Sequence, residues 1–367
     1  MRFPKFSRKV VAWLFVGALT LTLFIALNGA YQRTDAATTN VASRMMEGIG
    51  QIVTQRTTHM LTITESQIKT NAVLTRGVAQ NALPDTSTYW LPIFWKQLEL
   101  NPYISALYIA DTQGNFIKAD RLPRWATRVI DRRSGSPVEQ VIYRQTDYSP
   151  LANTETATQY DPRTRPWYSQ AQNGKAGAVY WSDIYTFASS KGTGVTASTP
   201  FFDAQGKLAG VLAADMTLQG LSDFLTEQAF GDHDLALIVN GKQELVAYPT
   251  RLQLNAGTNP AQSLPTLDMI MPAQAWVTEA YQREQTAEKP GQEFKYQGDK
   301  YLPMLLDFPN QASGWKLLVV APEDDLLGGA NRSIAENLTL TVFALLLFGF
   351  ILFVVFGKPF RAKEPVA

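Results

Sequence analysis

The chain has 367 residues, enough for one large domain or two ordinary ones beside two hydrophobic runs. Its formal net charge is +1, so no global field favours nucleic acid. It has no cysteine and only two histidines, His59 and His233, which excludes thiolate metal sites, thiol catalysis, disulfides and a multi-histidine centre, and argues against a histidine-based triad.

Residues 10–27 form an uncharged, mostly apolar run, and residues 338–357 form another. At helical rise each spans roughly 27–30 Å, about the thickness of a bilayer core. The rival reading of the first run is a signal peptide. Its apolar part is longer than an ordinary h-region, and Asn28-Gly29-Ala30 lacks the small residue wanted two before a cleavage point, so an uncleaved anchor is expected. Arg2, Lys5, Arg8 and Lys9 precede the first run; Lys358, Arg361 and Lys363 follow the second. The positive-inside rule puts both ends in the cytoplasm and residues 31–337 outside, in the periplasm of a bacterium.

No proline occurs between Lys5 and Leu83. Met45, Ile49, Ile52, Met60, Ile63 and Ile68 recur at helical spacing, which predicts a rod running to Pro84, with breaks expected near Gly29 or Gly48-Ile49-Gly50. Such a rod packs on its own domain, and it also suits a signalling stalk that pairs with a second copy.

Beyond Pro84 the pattern turns to mixed α and β. Residues 104–110 read as a strand, Asp111-Thr112-Gln113-Gly114-Asn115 as a turn, and 116–119 as the return. Residues 179–186 read as another strand. Residues 193–200 and 207–216, joined by Asp203-Ala204-Gln205-Gly206, read as a long hairpin. The expectation is an antiparallel sheet of three to five strands crossed by the segment from Tyr160 to Tyr168. A second cycle follows: 235–239, an Asn240-Gly241 hairpin signal, 244–248, a helix over 273–283, strands at 294–296 and 300–307, and a closing strand over 314–320.

The chemistry concentrates in Tyr160-Asp161-Pro162-Arg163-Thr164-Arg165-Pro166-Trp167-Tyr168, with Tyr185 and Asp215 later. Arginine presents a rigid fork of donors to a carboxylate. An aspartate beside aromatic faces holds an ammonium. Together they suit a zwitterion such as a free amino acid. The competing structural reading has the aromatic residues filling a core and Asp215 capping the next turn or pairing with Arg165. No Gly-rich phosphate loop, no metal-spaced acids and no nucleophile–base pair is visible, so neither a cofactor nor an enzymatic activity is expected.

Two small PAS-like sheets on a long N-terminal helix resemble the double Cache (dCache) extracytoplasmic sensor domain. The residues carrying the resemblance run from Asp161 to Tyr168, then Trp181-Ser182-Asp183-Ile184-Tyr185, then Thr199-Pro200-Phe201-Phe202-Asp203, Gly206, Gly210-Val211 and Asp215, with Gly314-Trp315 and Ala321-Pro322-Glu323 near the end. The fold class implied is α/β (α+β), a long N-terminal helix with two tandem antiparallel-sheet subdomains between two transmembrane helices. The organisation expected is a tail at 1–9, a span at 10–30, a stalk helix at 31–83, a membrane-distal ligand-binding subdomain at 84–220, a membrane-proximal subdomain at 221–330, a span at 338–357 and a tail at 358–367. The amino-acid-binding subset of that family implies a site of Tyr160, Arg165 and Trp167 on a ligand carboxylate, with Tyr168, Tyr185 and Asp215 on its ammonium. Tyr180 competes with Tyr185, which is preferred for its distance from Asp215. The function implied is an inner-membrane receptor, a homodimer, whose output lies in a separate cytoplasmic signalling protein or in a missing module, since residues 358–367 are too short for one. The alternative is a membrane-anchored interaction protein of the same fold with no small-molecule ligand.

Overall fold

The computed structural model describes residues 8–77, 82–133, 135–229, 231–255, 263–307 and 314–327, with residues 340, 341, 343, 344 and 347. Residues 1–46, 293–302 and 321–367 group into one compact unit, and 47–292 with 303–320 into another. The expected second span at 338–357 lies almost wholly outside the described residues. Among the described residues no helix is long and apolar enough to cross a membrane.

Helix α1, Arg8–Leu74, is continuous through Gly29, Gly48 and Gly50. Its buried stripe shares Met60 and Ile68 with the apolar set read from the sequence but leaves out Met45, Ile52 and Ile63. Val53, Thr57, Met60, Thr64, Ile68 and Asn71 are buried, whereas Met45, Ile52 and Ile63 are exposed. The buried threonines cost little because each hydroxyl is bonded within the helix, Thr57 to the Val53 carbonyl at 2.7 Å and Thr64 to that of Met60 at 3.0 Å. Asn71 exchanges amide hydrogen bonds with Gln97 at 2.9 and 2.8 Å. A polar stripe made of satisfied groups packs where a hydropathy reading expects solvent.

In the larger unit a nine-stranded antiparallel sheet follows helix α2, Ser87–Leu100. Its strands are β1 Ala106–Asp111, β2 Phe116–Asp120, β3 Ala126–Asp131, β4 Val138–Arg144, β5 Pro150–Ala157, β6 Tyr180–Trp181, β7 Tyr185–Thr186, β8 Thr193–Phe202 and β9 Leu208–Thr217. The order is β5-β4-β3-β2-β1-β9-β8-β6, and β7 also pairs with β8. Strands β3 to β5 extend the sheet beyond the three to five strands expected. Their hairpin, VEQVIYR against PLANTETA, shows little burial alternation, and β5 is exposed throughout, so no period-2 signal marks it. The strand expected over 179–186 is two short pieces broken at Ser182-Asp183-Ile184.

Period-2 alternation gives this sheet two different faces. Leu107, Ile109, Ile117, Ala119, Leu212 and Ala214 pack with Trp90, Phe94 and Leu98 of α2 and Ile68 of α1. Ala106, Tyr108, Ala110, Phe116, Ile130, Val211 and Ala213 pack under Trp167, Tyr168 and Ala171. The second face carries the chemistry.

Helix α4, Leu218–Glu227, follows the short helix α3, Pro166–Ala171, in chain order and leaves β9 behind a Thr217 cap whose hydroxyl accepts from the Gly220 amide at 3.0 Å. The second sheet has strands β10 Leu235–Val239, β11 Leu245–Ala247, β12 Phe294–Tyr296, β13 Asp299–Asp307 and β14 Lys316–Pro322, in the order β11-β10-β14-β13-β12. The helix expected over 273–283 is α5, Trp276–Thr286. In the smaller unit Phe294 stacks on Tyr301, and the Thr39 hydroxyl lies 3.0 and 2.9 Å from the carboxylates of Glu293 and Glu323.

Candidate ligand-binding site

The segment before α3 builds one wall. Asp161 caps a single 3-10 turn, Pro162–Thr164, by accepting from the Arg163 amide at 3.0 Å. Arg165 precedes Pro166, which disfavours helical backbone, and it stands extended at φ −85°, ψ 149°. Pro166 then opens α3, where a missing N–H costs nothing. The result turns Arg165 and Trp167 towards one cavity. The backbone carbonyl of Tyr160 is held by the Arg132 guanidinium.

That cavity is about 210 Å³, below the roughly 300–1,000 Å³ of pockets for drug-sized ligands. Tyr160, Arg165, Trp167, Tyr185 and Asp215 all line it, so residues 55 positions apart in sequence meet at one place. Trp167 is fully buried and sets its edge on Tyr108 at 4.8 Å between centroids. The Arg165 guanidinium lies over the Tyr185 ring at 5.3 Å, and its Nη2 donates to the Thr186 carbonyl at 2.8 Å. Burial pushes the Tyr160 phenol well up, against the opposing pull of Trp167 and Arg165. Burial does the same to Tyr185, reinforced by the charge of Asp215. Both phenols are therefore neutral donors at physiological pH.

Tyr168 does not line the cavity. Its hydroxyl donates to the Asp111 carbonyl at 3.2 Å, and burial pushes its pKa up to about 12. Tyr180 also stands elsewhere, accepting from the Lys175 amide at 3.1 Å.

Asp215 neither caps the following turn nor pairs with Arg165. Thr217 makes the cap. The Asp215 carboxylate accepts on Oδ1 from Tyr108 at 2.5 Å and from Thr196 at 2.6 Å, and its Oδ2 faces Lys118 Nζ at 3.6 Å. Tyr185 and Thr196 share a 2.6 Å hydroxyl contact. Burial raises the Asp215 pKa; Lys118, Thr196 and Tyr108 oppose that rise, while nearby Asp120 adds to it.

Lys118, Tyr108, Arg128 and Glu139 are cavity residues that sequence reasoning missed. Register explains their convergence. Arg128, Lys118, Tyr108 and Ala213 lie opposite one another across β3, β2, β1 and β9. Ala106 stands between Asp120 and Asp215 in the next row. Arg128 bonds Asp120 at 2.8 Å and reaches Glu139 at 3.4 Å. The available signal was a lysine and an aspartate at alternate positions inside FIKAD, a strand buried on every residue. Charges inside such a strand need partners. Among the described residues no group of three or more acids or histidines is placed to hold a metal ion.

Residues 98–223 match the family model of the methyl-accepting chemotaxis protein-like, first PDC sensor domain. The resemblance to extracytoplasmic sensor domains holds for this segment. Among curated proteins the chain is similar to adenylate cyclase 1 of Rhizobium meliloti, 23% identical over 264 residues that make up 66% of this chain and 38% of the other. It is also similar to the methyl-accepting chemotaxis protein PscA of Pseudomonas syringae pv. tomato, 36% identical over 90 residues, 24% of this chain and 14% of the other. The chain thus covers well under half the length of these relatives. Among solved structures it is similar to the ligand-binding domain of the Pseudomonas fluorescens chemoreceptor CtaA in complex with L-alanine, at 17% identity and a TM-score of 0.47 over 77% of this chain and 98% of that one. The ligand-binding domain of the Pseudomonas aeruginosa amino-acid chemoreceptor PctB in complex with L-Arg gives 18% identity and a TM-score of 0.47 over 79% and 90%.

Proposed function

We propose that this chain is a membrane-anchored extracytoplasmic sensor that binds a free amino acid in the cavity over β1, β2 and β9. The observation that carries the reading is the meeting of Arg165 and Asp215 on one small cavity with aromatic walls. Among the described residues Arg165 donates one hydrogen bond, to the Thr186 carbonyl, so its fork retains donors for a carboxylate. Asp215 Oδ2 faces Lys118 at 3.6 Å, beyond hydrogen-bond length, and keeps acceptor capacity for an ammonium. Trp167, Tyr160 and Tyr185 supply an apolar enclosure with neutral donors at its edge. Tyr168 acts from behind, fixing α3 to the Asp111 carbonyl rather than touching ligand.

In this reading residues 10–30 and 338–357 anchor the chain in an inner membrane with residues 31–337 in the periplasm. The long α1 pairs with that of a second copy and carries the ligand signal towards a cytoplasmic signalling protein. Titrating the full-length chain in detergent micelles with the proteinogenic L-amino acids tests the ligand class. At a hundredfold excess over Kd, a ligand that binds only the folded state adds about 2.7 kcal/mol and raises Tm. Flat melting and calorimetric responses to every amino acid overturn this reading in favour of an interaction protein.

A further inference from the structure

Asp215 already has a cation. Lys118 Nζ stands 3.6 Å from Oδ2, over the Tyr108 ring at 5.2 Å, with both partners of the pair buried. Its hydrogen bond goes to Ser189 Oγ at 2.8 Å, in the segment between β7 and β8 that also lines the cavity. Asp215 Oδ1 is occupied by Tyr108 and Thr196. An ammonium arriving at Oδ2 therefore meets a like charge in a site of low dielectric, where repulsion is far stronger than in water.

Resting on the amino-acid reading above, we propose that Lys118 is a specificity-determining residue, a tethered ammonium that competes with the ligand's own ammonium for Asp215. A zwitterion seats only when the Lys118 side chain gives up its place. The same strand offers it another acceptor. Asp120 stands two residues along on the same face of β2, and its Oδ1 is buried without a hydrogen-bond partner. Its Oδ2 already holds Arg128, so Oδ1 is the one atom there that lacks a donor.

The exchange has a specific consequence. A zwitterion bears the cost of moving Lys118, and its apparent affinity falls by the fraction of molecules in which Asp215 is available. The amine-free acid of the same skeleton bears no such cost, because its carboxylate goes to Arg165 while Lys118 stays. Lys118 thereby narrows the preference of the cavity for amino acids over simple carboxylic acids.

The test uses the full-length chain in detergent micelles and isothermal titration calorimetry. The probes are the tightest-binding L-amino acid and its deamino carboxylic acid. Lys118→Gln removes the charge and retains a donor for Ser189. It is expected to bind the amino acid about tenfold tighter than wild type and the deamino acid no tighter. Lys118→Arg, which keeps the charge, is expected to retain the wild-type ratio between the two ligands. A purely structural lysine would change both affinities together or neither. Equal amino-acid affinity in wild type and Lys118→Gln, or weaker binding by the variant, overturns the proposal while leaving the sensor reading intact. Should Lys118→Gln fail to fold, Lys118→Met, which fills the same space without a polar end, gives the same comparison. Absence of amino-acid binding by wild type and variants alike overturns the sensor reading and this proposal with it.

Discussion

The Tyr108 phenol donates to the Asp215 carboxylate at 2.5 Å across the β1–β9 ladder, and both residues are buried. Their backbones are offset by one pleat, since Asp215 stands opposite Ala106 and Tyr108 opposite Ala213. Burial and the charge of Asp215 together push the Tyr108 pKa well up, so the phenol stays a donor. Tyr108→Phe leaves Asp215 with fewer donors in a buried site. The domain is expected to lose about 1–3 kcal/mol, read as a fall in the denaturant midpoint at unchanged slope. An unaltered midpoint would mean that this bond is not a support of the fold.

Arg165 is half-buried and its protein hydrogen bond is to one backbone carbonyl. Arg165→Ala should therefore change stability little while weakening a carboxylate ligand by about 1.5–3 kcal/mol, on the order of 10- to 150-fold in Kd. The control is ligand chemistry: amidating the ligand carboxylate should weaken wild type strongly and Arg165→Ala little, because its partner is already gone. Additive losses in that cycle argue that Arg165 does not meet the carboxylate.

The raised pKa of Asp215 gives a pH signature. The folded protein holds this proton more tightly than the unfolded chain. The contribution of the group to stability is therefore full below the unfolded pKa, near 3.9, and is lost as pH rises through the higher folded value. Relative to Asp215→Asn, wild-type stability should fall over that interval. Ligand affinity runs the opposite way, since an ammonium needs the ionised carboxylate: wild-type binding should weaken on acidification at a pH above the ordinary aspartate range. Identical pH profiles for wild type and Asp215→Asn would assign the titration elsewhere.

Gly210 stands opposite Asp111 in one neighbouring strand and Phe201 in the other. A Cβ there would collide with the Ala110 carbonyl and the Phe201 ring. A carbonyl in a ladder cannot rotate away, so Gly210→Ala should cost about 1–3 kcal/mol of overpacking and lower Tm. Gly206 occupies a left-handed turn at φ 78° with open space around it, so Gly206→Ala tests conformational strain instead and should cost about 1 kcal/mol or more. Equal melting temperatures for wild type and Gly210→Ala would show that the ladder yields.

Topology is open to a direct test. A phosphatase reporter active only in the periplasm, fused after Ala367, should be silent, while the same reporter inserted at Thr258 should be active, because the flanking charges of both apolar runs are basic. Activity from the C-terminal fusion would reverse the orientation and remove the extracytoplasmic reading.

Much of the frame is legible in the sequence. The proline-free stretch before Pro84 gives a long helix, and the turn Asp203-Ala204-Gln205-Gly206 gives the β8–β9 hairpin. These are local rules, in which neighbours along the chain fix the backbone. Side-chain chemistry, not these rules, marks Arg165, Tyr185 and Asp215 as residues in search of a partner. The buried face of α1 was legible only at Met60 and Ile68, because threonines and an asparagine with hydrogen-bond partners pack there as well as apolar groups do. The hairpin of β4 and β5 was not legible either, because an exposed strand has no need of alternation.

The company that Asp215 keeps was decided by tertiary structure alone. From the sequence it reads as a lone acid that ends an apolar strand, with Arg165 as the cation offered to pair with it. Folding places Asp215 opposite Ala106, and Lys118 opposite Tyr108, in adjacent rows on one face of the sheet. The ion pair that results joins residues 97 positions apart, 118 and 215. Strand order and register produce it, and both are set by the summed packing of two sheet faces rather than by any neighbour in the chain.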